Sequence, residues 1–133
     1  MQVSLIYEDS DLLVLDKPPG LVVDKSQTQK INTLENWLIT SYDNKLERGG
    51  IVHRLDKDTS GIILVAKNQQ ALANLQAQFK QRKVKKEYLA LVHGYIIDKG
   101  KIEASLGRNP GNREKFTVLE EGKGYKVKRV TVN

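Results

Sequence analysis

The sequence predicts an α+β fold, a mixed but largely antiparallel sheet with flanking helices. Short apolar runs of strand length recur along the chain, separated by turns rich in Gly, Pro, Asn and Asp. Two other segments place their apolar residues at the spacing of an amphipathic helix. The strands also follow one another as hairpins instead of alternating with helices, which argues against a doubly wound parallel sheet.

Leu5 to Tyr7 and Leu12 to Asp16 predict two strands around the polar turn Glu8-Asp9-Ser10-Asp11. The second strand is apolar without alternation over Leu12-Leu13-Val14-Leu15, the pattern of a strand covered on both faces. Lys17-Pro18-Pro19-Gly20 stops it, and Leu21-Val22-Val23 continues as a short extended piece. Asn32 can cap a helix with Glu35 three residues on, and Leu34, Trp37 and Leu38 share one helical face. A helix is therefore expected over about residues 33–42. Gly49-Gly50 breaks the chain ahead of Ile51-Val52, and Ile62 to Val65 reads as a buried strand. Asn68 is the expected cap of a second helix, with Ala71, Leu72, Leu75 and Phe79 as its apolar stripe and an end near Arg82. Glu87 to Val92, Lys101 to Leu106, Lys115 to Leu119 and Tyr125 to Val130 are the later strands, with Gly94 or Gly100 as turns. No repeat, low-complexity tract or long linker divides the chain, so residues 1–133 are expected to form a single domain.

Composition narrows the function. The chain has 133 residues, 39% hydrophobic and 29% charged, enough for one modest core. It has no cysteine, which excludes disulfides and thiolate metal sites, and two histidines, His53 and His93, are too few for a histidine-rich metal centre. The N-terminus lacks the basic region and apolar run of a signal peptide, and no stretch approaches a membrane span, so a cytoplasmic location is expected. Twenty-two Lys and Arg against 16 Asp and Glu give a net charge of +6, which favours an anionic partner such as nucleic acid. Lys80, Arg82, Lys83, Lys85 and Lys86 concentrate that charge in one segment. The run suits a phosphate-contacting edge, and it equally complements the dipole at the end of a helix.

The segment His53-Arg54-Leu55-Asp56-Lys57-Asp58-Thr59-Ser60-Gly61 holds a carboxylate and a cationic arm in a loop that opens into a strand. Asp56 in that setting can be a positioned nucleophile or base. It can equally be an ion-paired loop aspartate, and the nonapeptide alone leaves both readings open.

Three segments together resemble a known family. Val14-Leu15-Asp16-Lys17-Pro18-Pro19-Gly20-Leu21-Val22-Val23 resembles the first motif of the RluA-type pseudouridine synthases. Val52 to Gly61 resembles their catalytic motif, and Lys86-Glu87-Tyr88-Leu89-Ala90-Leu91-Val92-His93-Gly94 resembles their Lys-x-Tyr-x-Ala-x-Val-x-Gly element. The resemblance implies the pseudouridine synthase catalytic-domain fold and isomerisation of uridine to pseudouridine in ribosomal or transfer RNA, with no cofactor and no metal. Asp56 matches the family's catalytic aspartate, which either attacks the ribose C1′ or acts as a base at C2′. The uracil leaves through N1, turns and rejoins through C5, and a carboxylate suits the oxocarbenium-like charge of either route. Arg54 matches the residue that fills the gap left by the flipped uridine, and Tyr88 matches the tyrosine that stacks on the extruded base. Lys17, with Gly20, is a candidate for approach to RNA, as are Lys83, Lys85 and Lys86 at the basic edge. His53 is expected to order the loop, Leu55 to pack, Thr59 and Ser60 to make local hydrogen bonds, and Asp58 to be solvated. Asp16 and Asp24 are further acids that nothing in the sequence pairs with the site.

The resemblance also implies a last signature, Gly-Arg-Thr-His-Gln-Ile-Arg, whose arginine pairs with the catalytic aspartate. Residues 1–133 contain no match to it; Lys128-Arg129-Val130-Thr131-Val132 is basic and strand-like but different. The expectation is an incomplete catalytic domain, truncated or completed by another chain, with weak or no activity by itself. A non-catalytic RNA-binding relative is the alternative. An open sheet edge at the missing strands would invite a homodimer or strand exchange.

Overall fold

Strand β2 (Leu12–Lys17) is the centre of the first of two compact units, Met1–Glu87 and Tyr88–Asn133. The structure, a computed structural model, describes residues 3–26, 30–95, 100–112, 115–119 and 126–132. In the first unit β2 lies between β1 (Ser4–Glu8) and β3 (Gly61–Ala66), antiparallel to both. Leu13 and Leu15 of β2 pair with Val65 and Ile63 of β3, and all four are fully buried. They meet Leu34 and Leu38 of helix α1 (Leu34–Ser41), with Leu21, Val23, Ile51 and Leu55 completing the core. The burial of β2 is uneven: Leu12 and Val14 are only half-buried, so the expected cover on both faces is complete on one.

Helix α1 starts one residue later than the sequence suggests. Asn32 sits at φ 58°, in the left-handed region, while Thr33 has the extended geometry of an N-cap. Thr33 Oγ1 accepts from the Asn36 N–H at 3.2 Å and Asn36 Oδ1 accepts from the Thr33 N–H at 3.3 Å, a capping box shifted from the expected Asn32 and Glu35. Two further N–H groups of the first turn, from Leu34 and Glu35, bond to the carbonyls of Val22 and Val23. Segment 22–25 is thereby pinned to α1, and Glu35 adds a bond from the Lys25 N–H at 3.0 Å.

Helix α2 (Gln69–Lys80) packs against β3 and is capped as expected by Asn68, whose Oδ1 accepts from the Ala71 N–H at 2.9 Å. Its stripe is the expected one: Leu72 is buried, Ala71, Leu75 and Phe79 are half-buried, and the other positions of the helix are exposed. The helix ends at Lys80. Arg82 follows at φ 56°, with its N–H bonded to Phe79 O and the Lys83 N–H to Gln78 O, a Schellman closure with arginine where glycine is usual.

The second unit holds β4 (Gly100–Arg108), flanked antiparallel by β5 (Phe116–Leu119) and β6 (Lys126–Val132). These match the expected later strands; Tyr125, expected to begin the last, lies outside the described residues. Both sheets are antiparallel throughout, and the one parallel pairing among the described residues is the isolated bridge Val22–Thr33. The α+β class holds. Glu87 to Val92, however, is not a strand: Leu89 and Leu91 are fully exposed and the segment has no ladder partner among the described residues. Strand-like composition forms a strand only where a neighbour takes its N–H and C=O groups.

Gly49 and Gly50 follow Arg48 in a tight turn in which all three have positive φ. Gly50 is enclosed: a methyl group there would collide with the Ala66 carbonyl and stand 2.9 Å from Asn44 Nδ2, which itself bonds Ala66 O. Gly20, also left-handed at φ 83°, faces open space. Gly50→Ala is therefore expected to lower stability by about 3 kcal/mol or more, from strain plus collision, and Gly20→Ala by about 1 kcal/mol from strain alone. Urea unfolding measures both, and equal losses would show that the Ala66 carbonyl is no obstacle.

Candidate active site

The loop between Ile51 and β3 is fastened at its middle. Leu55 is inserted in the core, while Asp56, Lys57 and Asp58 are exposed. The Thr59 N–H donates to Asp56 O at 3.2 Å, a local backbone bond that closes this turn. Lys57 O accepts from the Gly20 N–H at 2.8 Å and from Lys17 Nζ at 3.0 Å. The turn after β2 and the loop carrying Asp56 are thus stitched together by two bonds to one carbonyl.

Lys17 is placed where the sequence did not suggest. It is completely buried, and its ammonium donates to Pro18 O at 3.0 Å, Leu21 O at 2.9 Å and Lys57 O at 3.0 Å. Three donors meet three acceptors, so nothing is left to reach RNA. Burial lowers its pKa below the usual lysine value, while the charges of Asp58 and Asp56 oppose that shift. Lys17 is an internal clamp, and its expected approach to RNA is corrected on that ground.

Asp56 projects from the fastened loop, and among the described residues its carboxylate has no hydrogen-bond or ion-pair partner. Arg54, two residues away, points elsewhere: its Nη1 lies 3.3 Å from Asp24 Oδ2, and the other oxygen of Asp24 takes Arg48. Asp24, which the sequence left unconnected, is therefore a neighbour of the site. Thirty residues separate it from Arg54, and no local pattern signals such a pair. Asp16 is exposed, as is Asp58.

His53 orders the loop, as expected. Its Nε2 accepts from the Leu64 N–H at 3.0 Å, so Nδ1 carries the proton, and its ring stacks on Phe79 with centroids 4.7 Å apart. The imidazole thus occupies the side of β3 that β2 does not pair with, next to the Ile51–Val65 bridge. Burial, with a smaller effect of Lys86, lowers its pKa to about 4.

Lys80, Arg82, Lys83, Lys85 and Lys86 are all exposed beyond or at the end of α2. Lys85 pairs with Glu87 at 2.7 Å, but both are so open to solvent that the pair is easily exchanged for another anion. Tyr88 is 63% exposed and begins the second unit. Among the described residues no group of His, Cys, Asp and Glu is arranged to hold a metal, and no helix is long and apolar enough to cross a membrane.

An exposed carboxylate on a clamped loop makes Asp56 the candidate centre of a site, with Arg54 two residues away turned towards Asp24. Comparison with known proteins gives it a family. Residues 11–133 match the family model described as RNA pseudouridylate synthase. The chain is 44% identical over 127 residues to an uncharacterized RNA pseudouridine synthase of Aquifex aeolicus, covering 91% of this chain and 40% of that protein. It is 42% identical over 123 residues to ribosomal large subunit pseudouridine synthase D of Nitrosomonas europaea, covering 91% of this chain and 36% of that one. Among solved structures, human RNA pseudouridylate synthase domain containing 1 aligns with a TM-score of 0.76 at 27% identity, over 98% of this chain and 50% of that one. Human RNA pseudouridylate synthase domain containing 4, at 24% identity and a TM-score of 0.64, shares the fold, over 96% of this chain and 51% of that one. The chain belongs to the RNA pseudouridylate synthase family, in the RluA-type branch that its three motifs indicate. It spans about two fifths of the length of these sequence relatives.

The histidine gives a pH prediction. The unfolded chain protonates His53 near 6.5 and the folded chain only near 4, so between these values the unfolded state binds more protons. The contribution of neutral His53 is complete above pH 6.5 and is lost as pH falls towards 4. Urea midpoints should therefore drop more between pH 7 and pH 4.5 for the unmodified protein than for His53→Gln, which keeps an acceptor but does not titrate. Equal drops in the two proteins would remove the assignment.

Proposed function

We propose that residues 1–133 are the N-terminal and central part of one catalytic domain that isomerises uridine to pseudouridine in structured RNA, ribosomal or transfer. The observation that carries this reading is the presentation of Asp56, on a loop tied by Lys17 and Gly20 through Lys57 O, exposed and with no partner among the described residues. A carboxylate carried on a fastened backbone and unpaired suits both attack at C1′ and proton removal at C2′. Arg54 is the long planar cation that can enter the stack vacated by the flipped base, which offsets part of an unstacking cost of a few kcal/mol. Tyr88 supplies the aromatic face for the extruded uracil, and its exposure is compatible with that role. Lys83, Lys85 and Lys86 contact phosphates, and the work takes place in the cytoplasm. A homodimer by strand exchange would use a sheet edge left open where the missing strands belong, and sedimentation at increasing concentration tests it.

Asp56→Asn keeps the shape of the side chain and removes its charge. Incubation of structured RNA with each protein, followed by carbodiimide mapping of pseudouridine, should show weak modification by the unmodified chain and none detectable by the variant. Equal modification by both removes Asp56 as catalyst, and binding without modification by either, repeated with the full-length protein, identifies a non-catalytic relative. Lys83→Ala and Lys85→Ala should each weaken binding about equally across RNA sequences and reduce the salt slope by about one. Unchanged slopes would eliminate the phosphate edge.

A further inference from the structure

We propose that Asp24 is a positioning residue: it stows Arg54 away from Asp56 in the free protein and surrenders it when RNA arrives. This rests on the reading of Arg54 as an RNA-facing side chain. Asp24 lies at the centre of a charge triad. One oxygen takes Arg48 and the other lies 3.3 Å from Arg54 Nη1. The three members are not equally held. The Asp24 side chain is 15% exposed, that of Arg48 43% and that of Arg54 62%.

The carboxylate is fixed from both sides. Val22 and Val23, just before it, accept the first N–H groups of α1, and the Lys25 N–H just after it donates to Glu35. Arg48 is anchored at its backbone, since the turn Arg48-Gly49-Gly50 is closely packed: a methyl at Gly50 would collide with the Ala66 carbonyl and one at Gly49 would stand 3.2 Å from Leu38 Cβ. Arg54 is attached through one long contact of one guanidinium nitrogen, the weak kind of ion pair.

Charge decides what the arrangement can do. Asp24 with two arginines carries a net positive charge, so releasing Arg54 leaves a neutral Asp24–Arg48 pair and no uncompensated carboxylate. The exchange of Arg54 from Asp24 to a phosphate or a base stack is therefore cheap. Without Asp24, the nearest acid along the loop is Asp56 itself, two residues from Arg54. A pair there, between two exposed side chains, would hold Arg54 less firmly than Asp24 does, but it would draw the carboxylate that the reaction needs to one side. A resting partner at Asp24 keeps Asp56 unpaired.

A double-mutant cycle tests this, with RNA affinity read by fluorescence anisotropy of a labelled RNA stem-loop at fixed salt. Asp24→Asn should tighten binding roughly two- to fivefold, the range of an exposed ion pair, and this gain should vanish in an Arg54→Gln background. No gain, or an equal gain in both backgrounds, overturns the proposal, since the latter is the effect of any lost negative charge. If Arg54→Gln alone leaves RNA affinity unchanged, the RNA role of Arg54 fails and this proposal with it, while the Asp56→Asn modification assay still judges the reaction separately. A measurement without an Asp24 variant guards against misfolding. The Nε–H resonance of Arg54, assigned by its loss in Arg54→Gln, should move as the stem-loop is added to the unmodified protein. A resonance that stays in place overturns the exchange.

Discussion

A lysine ammonium inside the core, bonded to three carbonyls, is the interaction on which the site depends. Lys17 ends β2, and its Nζ joins Pro18 O, Leu21 O and Lys57 O from two separate stretches of chain. Removing an ammonium from water costs several kcal/mol, and this one has no carboxylate in contact to compensate. The carbonyl dipoles and the fields of Asp58 and Asp56 take that place. Conversely, the three carbonyls converge on one point and would be left facing each other without the cation. Strand end, proline turn and the loop carrying Asp56 are thus one electrostatic unit, and the position of the Asp56 backbone follows from that of its neighbour Lys57.

The rest of the unit guards the same arrangement from the other side. Leu55 anchors the loop in the core one residue before Asp56, and His53 anchors it to β3 two residues earlier through a side-chain acceptor in place of a strand. Such a bond needs a neutral imidazole, and burial keeps it neutral. The Arg48-Gly49-Gly50 turn delivers the chain to Ile51 along a path that the Ala66 carbonyl and Asn44 confine. The loop is held at His53, Leu55 and Lys57, the alternating positions whose side chains or carbonyl face inward. The intervening Arg54 and Asp56 face out.

How legible this was in the sequence depended on distance along the chain. The hairpin β1–β2, strand β3 and the stripe of α2 were readable because each is a local pattern of apolar residues bounded by turn residues. The start of α1 was missed by one residue, since Asn32 and Thr33 are both good caps and the choice between them is made by backbone angles set elsewhere. Glu87 to Val92 has the composition of a strand, but composition does not supply a partner. Lys17 was misread for a different reason. Lysines are almost always exposed, so a buried one can be inferred only from the carbonyls around it, and one of these lies 40 residues away. The Asp24–Arg54 pair spans 30 residues and was invisible in the same way. Motif resemblance singled out the candidates; geometry showed that Lys17 is a buried clamp and that Arg54 and Asp56 are exposed.

That division has a chemical logic under the proposed reaction. A group that attacks or deprotonates a sugar carbon must sit within a few tenths of an ångström of its place, since misplacement by about 1 Å can cost a hundredfold in rate. A group that replaces a flipped base must instead travel, because the space it fills does not exist until RNA binds. One short loop carries both demands at Arg54 and Asp56, and a uniformly rigid or uniformly mobile loop would fail one of them. The structure separates the two by what each is attached to. The backbone beside Asp56 is bound to a buried, fully satisfied ammonium that solvent cannot reach. Among the described residues Arg54 is attached only by its far end, through a solvent-screened ion pair that another anion can replace. Rigidity and mobility two residues apart therefore follow from the difference between a buried cation with no alternative partner and an exposed one with many.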